Sequence, residues 1–195
     1  MKKQSKGNKL LYEIVVMVLP VMLGVYLGLL ANNWNEERKE SRKLETVLKS
    51  MEGEILHNKE VVEKSLSYFH QLADSIYQLK DKNVTPSSFS FWKGLNPPLL
   101  RNASFQTGML TGVLTNLDIE TLEQLGTSYS LQDDLKEQTN TYVQSITSKI
   151  GSSEFDNRKY LIILENYAHD QIYAEETLIR ELENTLRAIR NRQNK

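Results

Sequence analysis

The chain has 195 residues, no cysteine, and 24 Lys+Arg against 25 Asp+Glu. The missing cysteine excludes disulfides, thiolate metal sites and a cysteine nucleophile. A net charge of −1 speaks against a general nucleic-acid binder. At 39% hydrophobic residues the chain is no disordered polar tract.

Residues 1–9 read as a short cytoplasmic tail, with Lys2, Lys3, Lys6 and Lys9 and no acidic residue. Residues 10–31 read as a transmembrane helix. Its centre, Ile14 to Ala31, is an 18-residue run without charge, and about 20 apolar residues cross a bilayer core. The run exceeds the apolar core of a usual signal peptide, and no A-x-A site follows it. Glu13 lies one turn into the span, where it snorkels toward headgroups or meets a polar group of another membrane protein. Gly24 and Gly28 form G-x-x-x-G, a spacing that lets two helices approach closely. Pro20 suits a kink whose freed carbonyl a neighbouring helix satisfies.

Lysines and arginines flank the span on both sides, but Asn32 to Glu37 contains none. This favours a cytoplasmic N-terminus and an extracytoplasmic body over residues 32–195. Trp34 then sits at the outer interface as an anchor. Residues 1–31 are net +3, whereas 32–195 hold 20 basic and 24 acidic side chains.

From Leu44 to Ile76 apolar residues recur at three- and four-residue steps: Leu44, Leu48, Met51, Ile55, Val62, Leu66, Phe69, Ala73 and Ile76, with polar Asn58 in the series. The spacing predicts a heptad-like seam with a slip near Ser65–Leu66. Without a proline between Pro20 and Pro86, the span continues into a stalk helix over about 36–81. Residues 83–117 are irregular, broken by Pro86, Pro97 and Pro98, with a short helix from about Asn102 to Leu114. Phe89, Phe91, Trp92 and Leu95 make this stretch apolar and a candidate partner-binding loop. Asp118 is placed to cap a helix over 119–150, with Ile119, Leu122, Leu125, Tyr129, Leu135, Tyr142, Val143, Ile146 and Ile150 as its stripe. A turn at Gly151-Ser152-Ser153 leads to a last helix over about 154–192. Its stripe is Leu161, Leu164, Ala168, Ile172, Ile179, Leu182, Leu186 and Ile189. Its basic end suits the negative pole of the helix dipole, or acidic lipid headgroups.

The expected fold is all-α: a transmembrane helix continuing into an elongated antiparallel helical bundle. The stripes are compatible with closure within one chain or between two.

The stretch Asn32-Asn33-Trp34-Asn35-Glu36-Glu37-Arg38-Lys39 after an apolar span resembles a bacterial family of uncharacterised single-pass membrane proteins, a domain of unknown function. The resemblance is specific over roughly residues 11–40. It thins to Leu48, Glu54, Asn58 and the stretch from Phe105 to Leu125, and Pro20 departs from the pattern. It implies a single-pass protein of the bacterial inner membrane with a periplasmic body, and no chemistry. The sequons at Asn83 and Asn102 carry no meaning in such a setting.

No phosphate loop, zincin or nucleophile-elbow motif occurs. Glu54 and His57 have the Glu-x-x-His spacing of di-iron bundles, but two copies and two further Glu are needed. Glu165 and His169 make only an irregular second pair, and His70 has no sequence partner. No catalytic, metal or cofactor site is assigned. The expected role is a non-enzymatic interaction or scaffold protein of the envelope, partnered by the bilayer and by a second copy or an unidentified envelope protein. The alternative is a ligand-sensing bundle. Nine residues before the span hold no output domain, so a sensor needs a separate transducer.

Overall fold

A computed structural model describes residues 6–79, 89–150 and 156–193. The elements are α1 (Lys6–Tyr77), α2 (Ala103–Leu110), a 3-10 turn (Val113–Asn116), α3 (Ile119–Ile150) and α4 (Asn157–Gln193). No strand occurs among the described residues. The chain divides into two compact units, Met1–Glu45 and Thr46–Lys195.

The first unit is the N-terminal part of α1. Pro20 lies inside the helix without ending it. An 18-residue window here has mean hydropathy 1.7 and no buried residue. Among the described residues this is the one helix apolar enough to cross a membrane, and by length and composition a signal sequence passes the same test.

The second unit is a bundle of α1, α3 and α4. Along α1 the buried seam runs through Leu48, Met51, Ile55, Asn58, Val62, Ser65, Phe69, Leu72 and Ile76, with Glu54 buried beside it. From Leu48 on this alternates three- and four-residue steps, the geometry of a helix seam. The expected slip at Ser65–Leu66 does not occur. Ser65 and Leu72 face inward, and Leu66 and Ala73 are half-buried. Ser65 tolerates the core because its hydroxyl donates to Glu175 Oε1 at 2.7 Å.

Cross-helix pairs fix the directions. Glu54 meets Tyr129 and Asn58 meets Gln132, so α1 and α3 run parallel. Ser128 meets Thr185 and Thr139 meets Gln171, so α4 runs antiparallel to α3. Arg190–Glu52, Lys59–Glu183 and Ser65–Glu175 give the same antiparallel sense for α4 against α1. Two parallel helices need a return path, and residues 89–117 supply it. Tyr68 Oη donates to Gly94 O at 3.0 Å and Tyr167 Oη to Leu95 O at 2.7 Å. Farther along, Asn58 holds both backbone groups of Arg101, and Glu54 accepts from Ser104 N. The return ends in a tight corner, with Gly112 at φ +69°, a conformation glycine adopts without strain. A Cβ on Gly108 would stand 2.9 Å from Leu114 Cγ, so the corner requires a bare backbone there.

Asp118 caps α3 as expected, Oδ1 accepting from Thr121 N at 2.8 Å. That bond holds the Asp118 carboxyl below its ordinary pKa, aided by Arg192. At the same end of the bundle, in the last turn of α4, Arg190 donates to Glu52, and Arg192 to Asp118 and Asn116 O. These arginines tie the bundle end together.

Candidate functional site

Among the described residues of the second unit ten polar or charged residues are buried, and they form layers through its core. At the level of Glu54, the carboxylate accepts from Tyr129 Oη at 2.7 Å and Ser104 N at 2.9 Å. Burial, then this carboxylate, pushes the Tyr129 phenol far above its ordinary pKa. One turn on, Asn58 Nδ2 donates to Arg101 O at 2.6 Å and to Gln132 Oε1 at 3.2 Å, and its Oδ1 accepts from Arg101 N at 2.8 Å. Next comes Ser65 with Glu175. Gln171 Nε2 lies 3.4 Å from both Gln138 Oε1 and Thr139 Oγ1. On the opposite seam Ser128 and Thr185 share a hydrogen bond of 2.6 Å.

Three buried atoms in these layers have no protein partner: Gln132 Nε2, Gln171 Oε1 and Glu175 Oε2. An unsatisfied buried polar atom costs about 1–3 kcal/mol, so three within one core call for an explanation. For Glu175 the explanation is protonation. Burial raises its carboxyl to about 8, against a smaller lowering by Ser65. A protonated Oε2 becomes a donor, and Gln171 Oε1, one helical turn away on the same face, is an acceptor that lacks one. Gln132 has no such remedy among the described residues.

Gln132 lines a groove of about 370 Å³ between α3 and the 97–102 stretch. Pro97, Pro98, Leu99 and Leu100 form one wall. The other comes from one face of α3, including Gln132, Leu135, Lys136 and Thr139.

The residues singled out from the sequence lie elsewhere. Gly24 and Gly28 have open space where a Cβ would point. Trp34 is 61% exposed, with Arg38 Cζ 4.2 Å from its ring centroid. The Glu13 side chain lies outside the described residues, as do Asn83 and the turn at 151–153. Phe89, Phe91, Trp92 and Leu95 are half-buried against the core cluster of Phe69, Leu72, Ile76, Leu164 and Tyr167. Phe89 packs edge-on to Tyr160 at 5.3 Å. Core packing therefore accounts for the apolar character of that loop. Asn102 stands at the N-terminus of α2, half-buried.

Glu54 of the Glu-x-x-His pair is engaged by Tyr129 and Ser104, and His57 is half-buried. His169 is exposed. The pairing of Lys59 with Glu183 sets His57 level with about residue 185 of α4, roughly 24 Å along the helix from His169. The two pairs do not converge. Among the described residues no group of three or more acidic or histidine side chains could hold a metal ion. His70 approaches Glu176 at 3.9 Å on the surface.

The spacing of the sequence places only Asn58 among the buried polar layers, because the other stripes are followed through apolar residues alone. The signal available was a polar residue at each seam position: Asn58, Ser65, Gln132, Thr139, Gln171 and Glu175. Comparison with family models, with curated proteins and with solved structures gave no match to this chain.

Proposed function

We propose that the chain is a membrane-anchored, non-enzymatic interaction or scaffold protein of the bacterial envelope. Its N-terminus is cytoplasmic and its helical body periplasmic. The observation that carries this reading is the bare apolar stretch of α1: no residue of its most apolar window is buried. Such a surface requires cover, and a bilayer with a partner helix supplies it. The open face at Gly24 and Gly28 suits close approach of that partner. The lysine-rich tail, set against the cation-free Asn32–Glu37, supports the orientation. The body buries an apolar core shared by α1, α3 and α4, a surface-bearing support of the kind a scaffold uses.

The test is crosslinking of the full-length protein in intact membranes, followed by mass spectrometry of the adducts. The expected result is one abundant adduct, either a second copy or another envelope protein, that falls at least ~10-fold with Gly24→Leu. Adducts indifferent to Gly24→Leu and Gly28→Leu would refute pairing through this face. A second reading, a sensing bundle that acts through a separate transducer, is favoured by the groove along α3.

A further inference from the structure

The groove has the size of a small-molecule site, at the lower end of the range of about 300–1,000 Å³. Its chemistry is uneven in an informative way. The wall from Pro97 to Leu100, with Leu135 opposite, is apolar. The polar groups are gathered on α3, at Gln132, Asp133, Lys136 and Asn140, with Asn102 across from them.

Gln132 is the decisive member. It is 6% exposed, and its Nε2 is buried without a protein partner. The assignment of that amide follows from its neighbour. Asn58 gives its carbonyl oxygen to Arg101 N and its amide to Arg101 O, which fixes which way Asn58 faces. Asn58 therefore offers Gln132 a donor, Gln132 turns its oxygen toward it, and the NH₂ group is left over. A buried donor left over beside a cavity calls for an acceptor.

Lys136 lies four residues on from Gln132, an adjacent position on one helix face. It is exposed at the groove's rim. A single carboxylate can pair with the Lys136 ammonium and accept from Gln132 Nε2 once that occluded amide turns toward the groove, while a short hydrocarbon tail lies along Pro97, Leu100 and Leu135. Asp133 places a negative charge on the same rim, so a second carboxylate is disfavoured. We infer that the groove between α3 and residues 97–102 binds a small monocarboxylate with a short apolar tail. This deepens the sensing reading by naming its ligand class. It is independent of the scaffold reading, because a groove variant leaves the Gly24 crosslinks unchanged.

The test uses full-length protein in lipid nanodiscs, with hexanoate as the probe and adipate as a dianion of the same chain length. Backbone hydrogen exchange is followed across residues 97–102 and 132–140. Hexanoate should slow exchange in both stretches with a Kd of roughly 0.1–1 mM, typical of so small a ligand, and adipate should not. Lys136→Met, a surface change, should weaken binding at least ~10-fold. Gln132→Leu should do the same. Leu100→Trp, which fills the groove, should abolish the effect. No slowing by hexanoate would leave water as the groove's occupant and overturn the proposal. Equal slowing in wild type, Lys136→Met and Gln132→Leu would place the acid elsewhere and overturn it as well.

Discussion

Glu175 occupies an inner position of α4 between Gln171 and Leu178. It is fully buried, and among the described residues Ser65 donates a hydrogen bond to it. With the carboxyl at about 8 in the folded protein against an ordinary 4.5, the folded state holds a proton that the unfolded state releases. Below about pH 4.5 both states hold it and the group costs nothing. As pH rises through the window from 4.5 to 8, stability falls, and above 8 the full cost is present. That cost is about 3–5 kcal/mol by the usual conversion of pKa shift to free energy. Glu175→Gln keeps an acceptor for Ser65 and supplies a permanent donor toward Gln171. The variant should match wild type in thermal stability near pH 5 and exceed it by roughly 6–15 °C at pH 9. Calorimetry across that range checks it, and parallel curves for the two proteins would show that Glu175 is already ionised in the fold.

At the scale of elements, the notable feature is the long return between two parallel helices. Apolar contacts hold its first part, through Phe89 and Trp92 against the core cluster. Side-chain hydrogen bonds hold the rest, and Asn58 contributes two of these with the Arg101 backbone. Asn58→Ala should cost about 1–3 kcal/mol. It should act locally: hydrogen exchange over residues 98–106 should speed up roughly 10–100-fold, one or two factors of ten for that loss. Uniform acceleration through α3 and α4 would mean instead that Asn58 supports the whole bundle.

The same element shows what was readable beforehand. The α3 cap at Asp118, the helix-free stretch around Pro97 and Pro98 and the three long helices follow from local chemistry written in the sequence; Pro86 lies outside the described residues. The apolar stripes were legible only in part. Ile119 was expected inside α3 and is 74% exposed, and Val143 is 40% exposed. Ile172 and Ile179 of α4 are half-buried, while Gln171, Glu175 and Leu178 take the inner positions. Periodicity identifies a helix, but a buried polar residue depends on a partner from another helix, and that partner's identity is a tertiary fact. The groove was illegible for the same reason. It requires the 97–102 stretch to lie along α3, and nothing in the spacing of Pro97 and Pro98 fixes where that stretch goes.

For the whole molecule, the two units divide the work. The first offers an apolar helix with a small-residue face and Trp34 beyond it. The second is a closed bundle whose core carries layered polar groups and whose side carries a groove. The proposed role follows from the bare helix, whose most apolar window has no buried residue.

The most direct test exploits the absence of cysteine, which gives a clean background for single-cysteine variants along residues 16–38 and at exposed body positions such as Asn140 and Tyr173. Each full-length variant is labelled in intact bacterial cells with a membrane-impermeant maleimide. Residues 16–31 should resist labelling throughout, with Gly24→Cys and Gly28→Cys also forming crosslinks to the partner helix. Asn140→Cys and Tyr173→Cys should label from outside the inner membrane. Rapid labelling along residues 16–31, or a mature protein that has lost them, would contradict membrane anchoring by this helix.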